Sequence, residues 1–288
     1  MGLIDLPAWV AAEPQPERRS FRQAVQLVLR AIAQSPTLAP VMIMKGGVLL
    51  AIRYQSSRFT TDIDFSTPRR FQDVHLPTLI ASIEKALAPV SADNEHGLAL
   101  RLQSHEVKPP HRPEVNFPTL QMRIGYASRL KPRLIERLRK TGSPHVVQVD
   151  YSFNEWASDT EQQDIDGGSL SMYPFHDLVA EIRSVLQQPI RGRERYQDIY
   201  DLFLLLETAP AITESDRAEI LAKLIESSRD RQVPVHHAAM RDEAVIELAR
   251  RQYDAVLPGL VAGKLTDFDI AYATVQAFFE GLPWGQPP

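Results

Sequence analysis

The sequence predicts an α+β protein: a mixed α/β core with an N-terminal helix over residues 1–165, then an all-helical domain over residues 166–288. Two adjacent glycines, Gly46-Gly47, stand between a short apolar run and a helix-like one, with a β-rich stretch close behind. Later come the runs Leu98–Gln103, Thr119–Tyr126 and Val146–Phe153, each with apolar residues at alternate positions, the period of a half-buried strand. From Tyr173 onward the apolar spacing is helical only. A chain of 288 residues also suits two domains, because single cores stop growing near roughly 250–300 residues.

Each element has its own signal. Ser20–Gln34 places Phe21, Val25, Val28, Leu29 and Ile32 on one helical face, with Pro36 and Pro40 beyond it, and reads as a helix. Val41–Lys45 reads as a strand, Gly46-Gly47 as a turn, Val48–Tyr54 as about two helical turns, and Thr60–Phe65 as a second strand. Pro77–Leu87 reads as an amphipathic helix with proline in its first turn, where the missing N–H is not needed. The stretches HEVKPPHRPE and SRLKPRLIERLRKTGSPH are Pro-rich or basic and read as surface connections. Asp164–Gly168 (DIDGG) is the expected domain boundary. Past it, Leu178, Ile182, Val185 and Leu186 form one apolar stripe and Ile199, Leu202, Phe203 and Leu206 another. Thr213-x-x-Asp216 and Thr266-x-x-Asp269 are capping-box signatures, and Met240–Tyr253 supplies a further helix.

Composition excludes several functions. There is no cysteine, which removes disulfides, thiolate metal sites and thiol nucleophiles. The eight histidines show no metal-ligand spacing, and His236-His237 reads as a solvated loop pair. A net charge of −4 and a pI near 6.1 confine any nucleic-acid contact to a local patch. No apolar stretch nears the ~20 residues of a membrane span, and the N-terminus lacks the pattern of a signal peptide. A cytoplasmic protein without membrane contact is expected.

The carboxylates carry the chemistry. Asp62 and Asp64 flank Ile63 on an expected strand, which puts both side chains on one face about 7 Å apart at the Cα atoms. Two such groups suit Mg²⁺, a hard cation that takes oxygen ligands and leaves positions for phosphate and water. Asp150 in VVQVDYSF is the candidate third acid, since Val149 and Tyr151 would face the other way; three acids can hold a two-metal clamp for phosphoryl chemistry. Gly46-Gly47 adds a turn that phosphates can approach closely, at the start of a helix that favours anions. Neither a Walker A loop nor a dinucleotide-binding glycine pattern occurs.

Lys45-Gly46-Gly47, then Arg53, then Arg58-Phe59-Thr60-Thr61-Asp62-Ile63-Asp64-Phe65 resembles the signature of the AbiEii/AbiGii abortive-infection toxin nucleotidyltransferases. These belong to the DNA polymerase β-like nucleotidyltransferase superfamily and show a similar K-G-G, an arginine in the next helix, and R-x-S-x-D-[IL]-D-F. Downstream, DLVAEIRSVLQQ (Asp177–Gln188) and RGRERYQDIYDLFLLL (Arg191–Leu206) resemble the family's A-E-K helix and its R-D-x-Y-D-L motif. The likeness covers residues 40–207. Where the family has a lysine after A-E, this chain has Ile182, with Arg183 next to it at the stripe's edge.

The resemblance implies a polymerase β-like core whose Gly46 and Gly47 cradle nucleotide phosphates and whose Asp62 and Asp64 hold metal. It makes Asp201 the helical-domain acid, with Asp198 one turn before it, so that Asp62, Asp64, Asp150 and Asp201 form the expected catalytic set. Lys45 and Arg53 would contact phosphate or brace the turn, Arg53 as a partner of Asp62 in the second case; Arg183 would take over the missing lysine's phosphate contact. Arg191, Arg193 and Arg195 read as a solvated loop or a phosphate or RNA contact. The implied activity is Mg²⁺-dependent (or Mn²⁺-dependent) transfer of a nucleoside monophosphate from an NTP to an acceptor, tRNA or protein. The implied setting is a bacterial toxin–antitoxin or phage-defence pair with an antitoxin encoded nearby. The alternative is a catalytically degenerate fold that binds a nucleotide or a partner.

Overall fold

Helix α1 (Leu6–Ala11) and helix α2 (Pro16–Ala33) open the chain. The second begins one turn before the expected Ser20, because Pro16 occupies the first helical position and Glu17 sits in the first turn, where a fixed φ and a negative charge are both favourable. The computed structural model describes residues 4–110, 116–155, 160–192, 195 and 197–285. They divide into two units: Met1–Arg53 with Thr61–Tyr173, and Tyr54–Thr60 with Pro174–Pro288.

The first unit is built on β1 (Ile43–Lys45), α3 (Gly46–Arg53), β2 (Asp62–Ser66), α4 (Leu76–Ala92), β3 (Leu98–Lys108), β4 (Thr119–Ser128), α5 (Pro132–Lys140), β5 (Val146–Ser152), β6 (Glu161–Ile165) and β7 (Gly168–Met172). The sheet runs β3-β4-β5-β2-β1-β7-β6. Strand β2 pairs antiparallel with β1 and parallel with β5. Burial alternates along β5, with Val147, Val149 and Tyr151 at 0–1% exposure, so one face packs on the helices. There α2 supplies Ala31 and Ile32, α4 supplies Ile83 and Leu87, and the strands supply Met122, Ile124 and Val149. The opposite face carries the aspartates.

Three expectations change here. Helix α3 starts at Gly46 itself, so the glycine pair opens the helix instead of preceding it. The basic connection after β4 contains α5, because Pro132 fills the first turn and Leu134, Ile135 and Leu138 lie at helical spacing. Residues Asp164–Gly168 are not a boundary between compact units: they turn the β6–β7 hairpin, with Asp166 and Gly167 both at positive φ, the signature of a two-residue hairpin turn. The compact units divide after Tyr173. Part of the connection before β4, residues 111–115, lies outside the described residues.

The second unit contains α6 (Phe175–Ala180), α7 (Ile182–Arg191), α8 (Gln197–Thr208), α9 (Glu214–Asp230), α10 (Glu243–Val256) and α11 (Phe268–Glu280). Thr213 and Asp216 form the expected reciprocal capping box on α9. On α11 the cap is Asp267, whose carboxylate accepts from Asp269 N–H at 2.9 Å, instead of the expected Thr266. Segment Tyr54–Thr60 belongs to this unit through Phe59 N–H to Leu260 O at 2.8 Å and Ala262 N–H to Ser57 O at 3.1 Å. No helix among the described residues is long and apolar enough to cross a membrane.

Candidate metal centre

The strand pairings bring the three acids of the first unit together. Asp64 on β2 is in register with Asp150 on β5, and Asp62 pairs with Gln148. Ile63, Phe65, Val149 and Tyr151 point into the core, which turns the aspartates between them to the other face. Carboxylate oxygens of Asp62, Asp64 and Asp150 lie within 4.8 Å of one another, all partly exposed. This all-oxygen donor set at strand positions fits a divalent hard cation.

Asp150 is held from both sides. Gln121, its cross-strand partner on β4, donates to Asp150 Oδ1 at 3.1 Å, and Gln148 donates at 3.2 Å. Burial pushes the Asp150 carboxyl above the usual carboxylate range, against the pull of the Gln121 bond; the nearby Asp62 charge adds to the rise. Removing water and crowding like charges both disfavour the ionised form, and a bound cation would reverse that balance.

The glycine next to this cluster has no alternative. Gly46 has φ +74°, and a Cβ added to it would lie 2.0 Å from Asp64 Oδ2 and 2.7 Å from Asp64 Cγ. Any side chain would occupy the space of the Asp64 carboxylate. Gly47 is buried in the first turn of α3.

The cations expected around this cluster are paired. Lys45, in register with Asp64, forms an ion pair with Glu155 and sits 5.6 Å from the Tyr173 ring centroid. Glu155 is itself fixed by its backbone, Glu155 N–H donating to Thr67 O at 3.0 Å. Arg53 is 2% exposed at its side chain and pairs with Glu161 on β6, which makes it a brace between α3 and the sheet edge. Gln121, Gln148, Glu155 and Glu161 escape sequence reading, although Gln121 stands at the non-apolar phase of an alternating strand.

The other predicted residues lie in the second unit. Asp201 accepts two hydrogen bonds from Arg58, at 2.9 and 2.7 Å. Burial raises the Asp201 carboxyl against the attraction of Arg58. The arginine of one signature motif is thus bonded to the aspartate of the other, since Tyr54–Thr60 packs with the helices. Asp198, one turn earlier on α8, accepts from Ser184 Oγ at 2.5 Å and pairs with Arg195 at 2.9 Å. Arg183 is buried and pairs with Glu181 at 2.8 Å. Ile182 is 1% exposed and belongs to the apolar stripe. Arg191 donates to the Arg231 carbonyl at 3.3 Å; Arg193 lies outside the described residues.

A family model described as "Nucleotidyl transferase AbiEii toxin, Type IV TA system" matches residues 27–274. Two Helicobacter pylori crystal structures are similar over most of the chain, each at 14% identity and a TM-score of 0.49. One is JHP933, with 93% of this chain and 92% of that one covered; the other is described as a putative nucleotidyltransferase, with 92% and 94% covered. No curated protein matches the chain. The chain therefore belongs to the AbiEii nucleotidyltransferase family, the toxins of type IV toxin–antitoxin systems.

Proposed function

We propose that the protein is a divalent-metal-dependent nucleotidyltransferase that moves a nucleoside monophosphate from an NTP to a hydroxyl of an acceptor. The convergence of Asp62, Asp64 and Asp150 within 4.8 Å carries this reading. A divalent metal bound there, Mg²⁺ or Mn²⁺, supplies Lewis-acid polarisation of the reacting phosphate and acidifies the attacking hydroxyl. Asp62 and Asp64 hold that metal from one strand and Asp150 from its parallel neighbour, with Gln121 and Gln148 fixing the orientation of the Asp150 carboxylate. Gly46 keeps the space beside Asp64 free of side chain, and the N-terminal end of α3 favours the anionic substrate. Lys45, released from Glu155, offsets charge on the departing pyrophosphate. A cognate antitoxin follows from the type IV family.

Incubation of the purified protein with Mg²⁺, α-³²P-labelled NTPs and RNA or protein acceptors tests this. Labelling should appear with wild type and vanish in Asp62→Ala and Asp64→Ala; labelling that survives both changes would sink the mechanism. The binding-only reading draws on one observation, that Lys45, Arg53 and Arg183 are each paired with a glutamate. Calorimetry separates the two, since NTP binding without turnover on any acceptor favours that second reading.

A further inference from the structure

We infer that α5 and the strand face beside it form a docking surface for the phosphodiester backbone of a polynucleotide, whose end reaches the aspartate cluster. This rests on the nucleotidyltransferase reading for what the strand is delivered to, and on charge and placement for the surface itself.

Between Arg129 and Lys140 the chain carries six cations, Arg129, Lys131, Arg133, Arg137, Arg139 and Lys140, against the single carboxylate of Glu136. That local excess of five positive charges stands on a protein of net charge −4. Glu136 pairs with Lys140 at 2.8 Å. The guanidinium groups of Arg129 and Arg137 donate to backbone carbonyls, those of Leu98, Ser91 and Gly142, which leave the positive charge uncancelled. Lys131, Arg133 and Arg139 are exposed.

The sheet places this charge on the same face as the metal cluster. Gln121 on β4 reaches Asp150, so the residues two and four further on, Arg123 and Gly125, share that face. Arg123 is exposed and pairs with Gln148, which puts its Cα about 8 Å from that of Asp150, one strand across and two residues along. At Gly125 an added Cβ would lie 2.9 Å from Leu138 Cδ1, so α5 rests directly on this face. Arg101 on β3 adds another cation there, its guanidinium donating to the Arg139 carbonyl at the end of α5. A basic track therefore runs from α5 through Arg123 to the aspartates.

The surface suits a nucleic-acid strand better than a protein partner. Protein interfaces need an apolar centre, and among the described residues of this unit Leu130 is the exposed large hydrophobic, at 92%. Polynucleotide interfaces are polar and strongly positive, and phosphate contacts set position without reading sequence.

The test is fluorescence anisotropy of the full-length protein with a labelled single-stranded RNA of about 20 nucleotides, across a salt series. The same sequence as DNA and a poly-glutamate peptide serve as further probes. Wild type should bind both polynucleotides and not the peptide. K131E/R133E/R139E should weaken binding at least tenfold and flatten the slope of log affinity against log salt by about 2, close to 0.7 for each lost phosphate contact on a single strand. K131Q/R133Q/R139Q, a milder change, should flatten the slope similarly if the reversal disturbs folding. Asp62→Asn/Asp64→Asn should keep the binding. Equal affinity and slope in wild type and both triple variants, or tighter binding of poly-glutamate than of RNA, would overturn the inference. Absence of nucleotide transfer with the anisotropy results intact would instead count against the enzymatic reading alone.

Discussion

Gly46→Ala attacks the centre through one methyl group. The residue has φ +74°, and the new Cβ would fall 2.0 Å from Asp64 Oδ2, 2.7 Å from its Cγ and 2.9 Å from its Cβ. The left-handed backbone costs a residue with a Cβ about 1–2 kcal/mol. Forcing a methyl into filled space adds about 1–3 kcal/mol, and the group that must yield is a carboxylate in the middle of β2, a strand paired on both sides. The sum, about 2–5 kcal/mol, corresponds to a fall in Tm of roughly 3–8 °C for a protein of this size. Gly97→Ala supplies the control, because Gly97 has φ +60° and nothing within 4 Å of the added Cβ; it should lose only the backbone part. Differential scanning calorimetry reads stability, and Mn²⁺ titration followed by electron paramagnetic resonance reads the site. Gly46→Ala should lose both stability and Mn²⁺ affinity, whereas Gly97→Ala should keep Mn²⁺ affinity. If Gly46→Ala matches Gly97→Ala in both measurements, the close packing of Gly46 on Asp64 does not set the geometry of the centre.

Removing the Arg58 guanidinium leaves Asp201, 15% exposed at its side chain, without its bidentate partner, so Arg58→Ala should destabilise the helical unit by about 3 kcal/mol in urea unfolding, while Arg58→Met/Asp201→Asn should recover most of it; equal losses would refute the pairing argument. Gln121→Ala removes a donor that orients Asp150 and should weaken Mn²⁺ binding by about tenfold; an unchanged titration would show that Gln121 has no such role. The first unit also holds a pH-sensitive cluster. Bonds from Arg30 hold Glu95 down to about 2 from its usual 4.5, so the stability it provides is present above pH 4.5 and is lost as pH falls through about 2. Burial lowers His96 below its usual 6.5, so acidification below that value also favours unfolding, because the unfolded chain binds the proton more readily. Thermal melts should show falling stability on acidification, with Glu95→Gln flattening the loss between pH 4.5 and 2; parallel profiles for the two proteins would contradict the assignment.

Much of the candidate metal site was legible because strands announce their faces. Asp64 stands between Ile63 and Phe65 and Asp150 between Val149 and Tyr151, all four in the core, and Asp62 lies two residues before Asp64, so alternation turns each of the three off the core face. Which strands adjoin is a long-range property, and here β2 pairs in parallel with a strand more than eighty residues downstream. The β6–β7 hairpin passed unseen because β6, EQQDI, is a polar edge strand without alternating apolar residues; only the turn at Asp166-Gly167 marked it. Helix α5 hid behind its charge, since a single fully buried position, Leu138, anchors it. The ion pairs of Lys45 with Glu155 and of Arg58 with Asp201 join residues 110 and 143 positions apart, and no local pattern encodes such partners. In the structure Lys45 rests on Glu155 and Asp201 on Arg58, pairings that the motifs around each residue do not spell out.

The most direct measurement is Mn²⁺ binding by electron paramagnetic resonance, with a non-hydrolysable NTP present, in wild type and in Asp62→Asn, Asp64→Asn and Asp150→Asn. Saturable Mn²⁺ binding in wild type that is lost or sharply weakened in each variant is the predicted result. An identical titration in all four proteins would contradict the claim that these strand-borne aspartates form the metal centre.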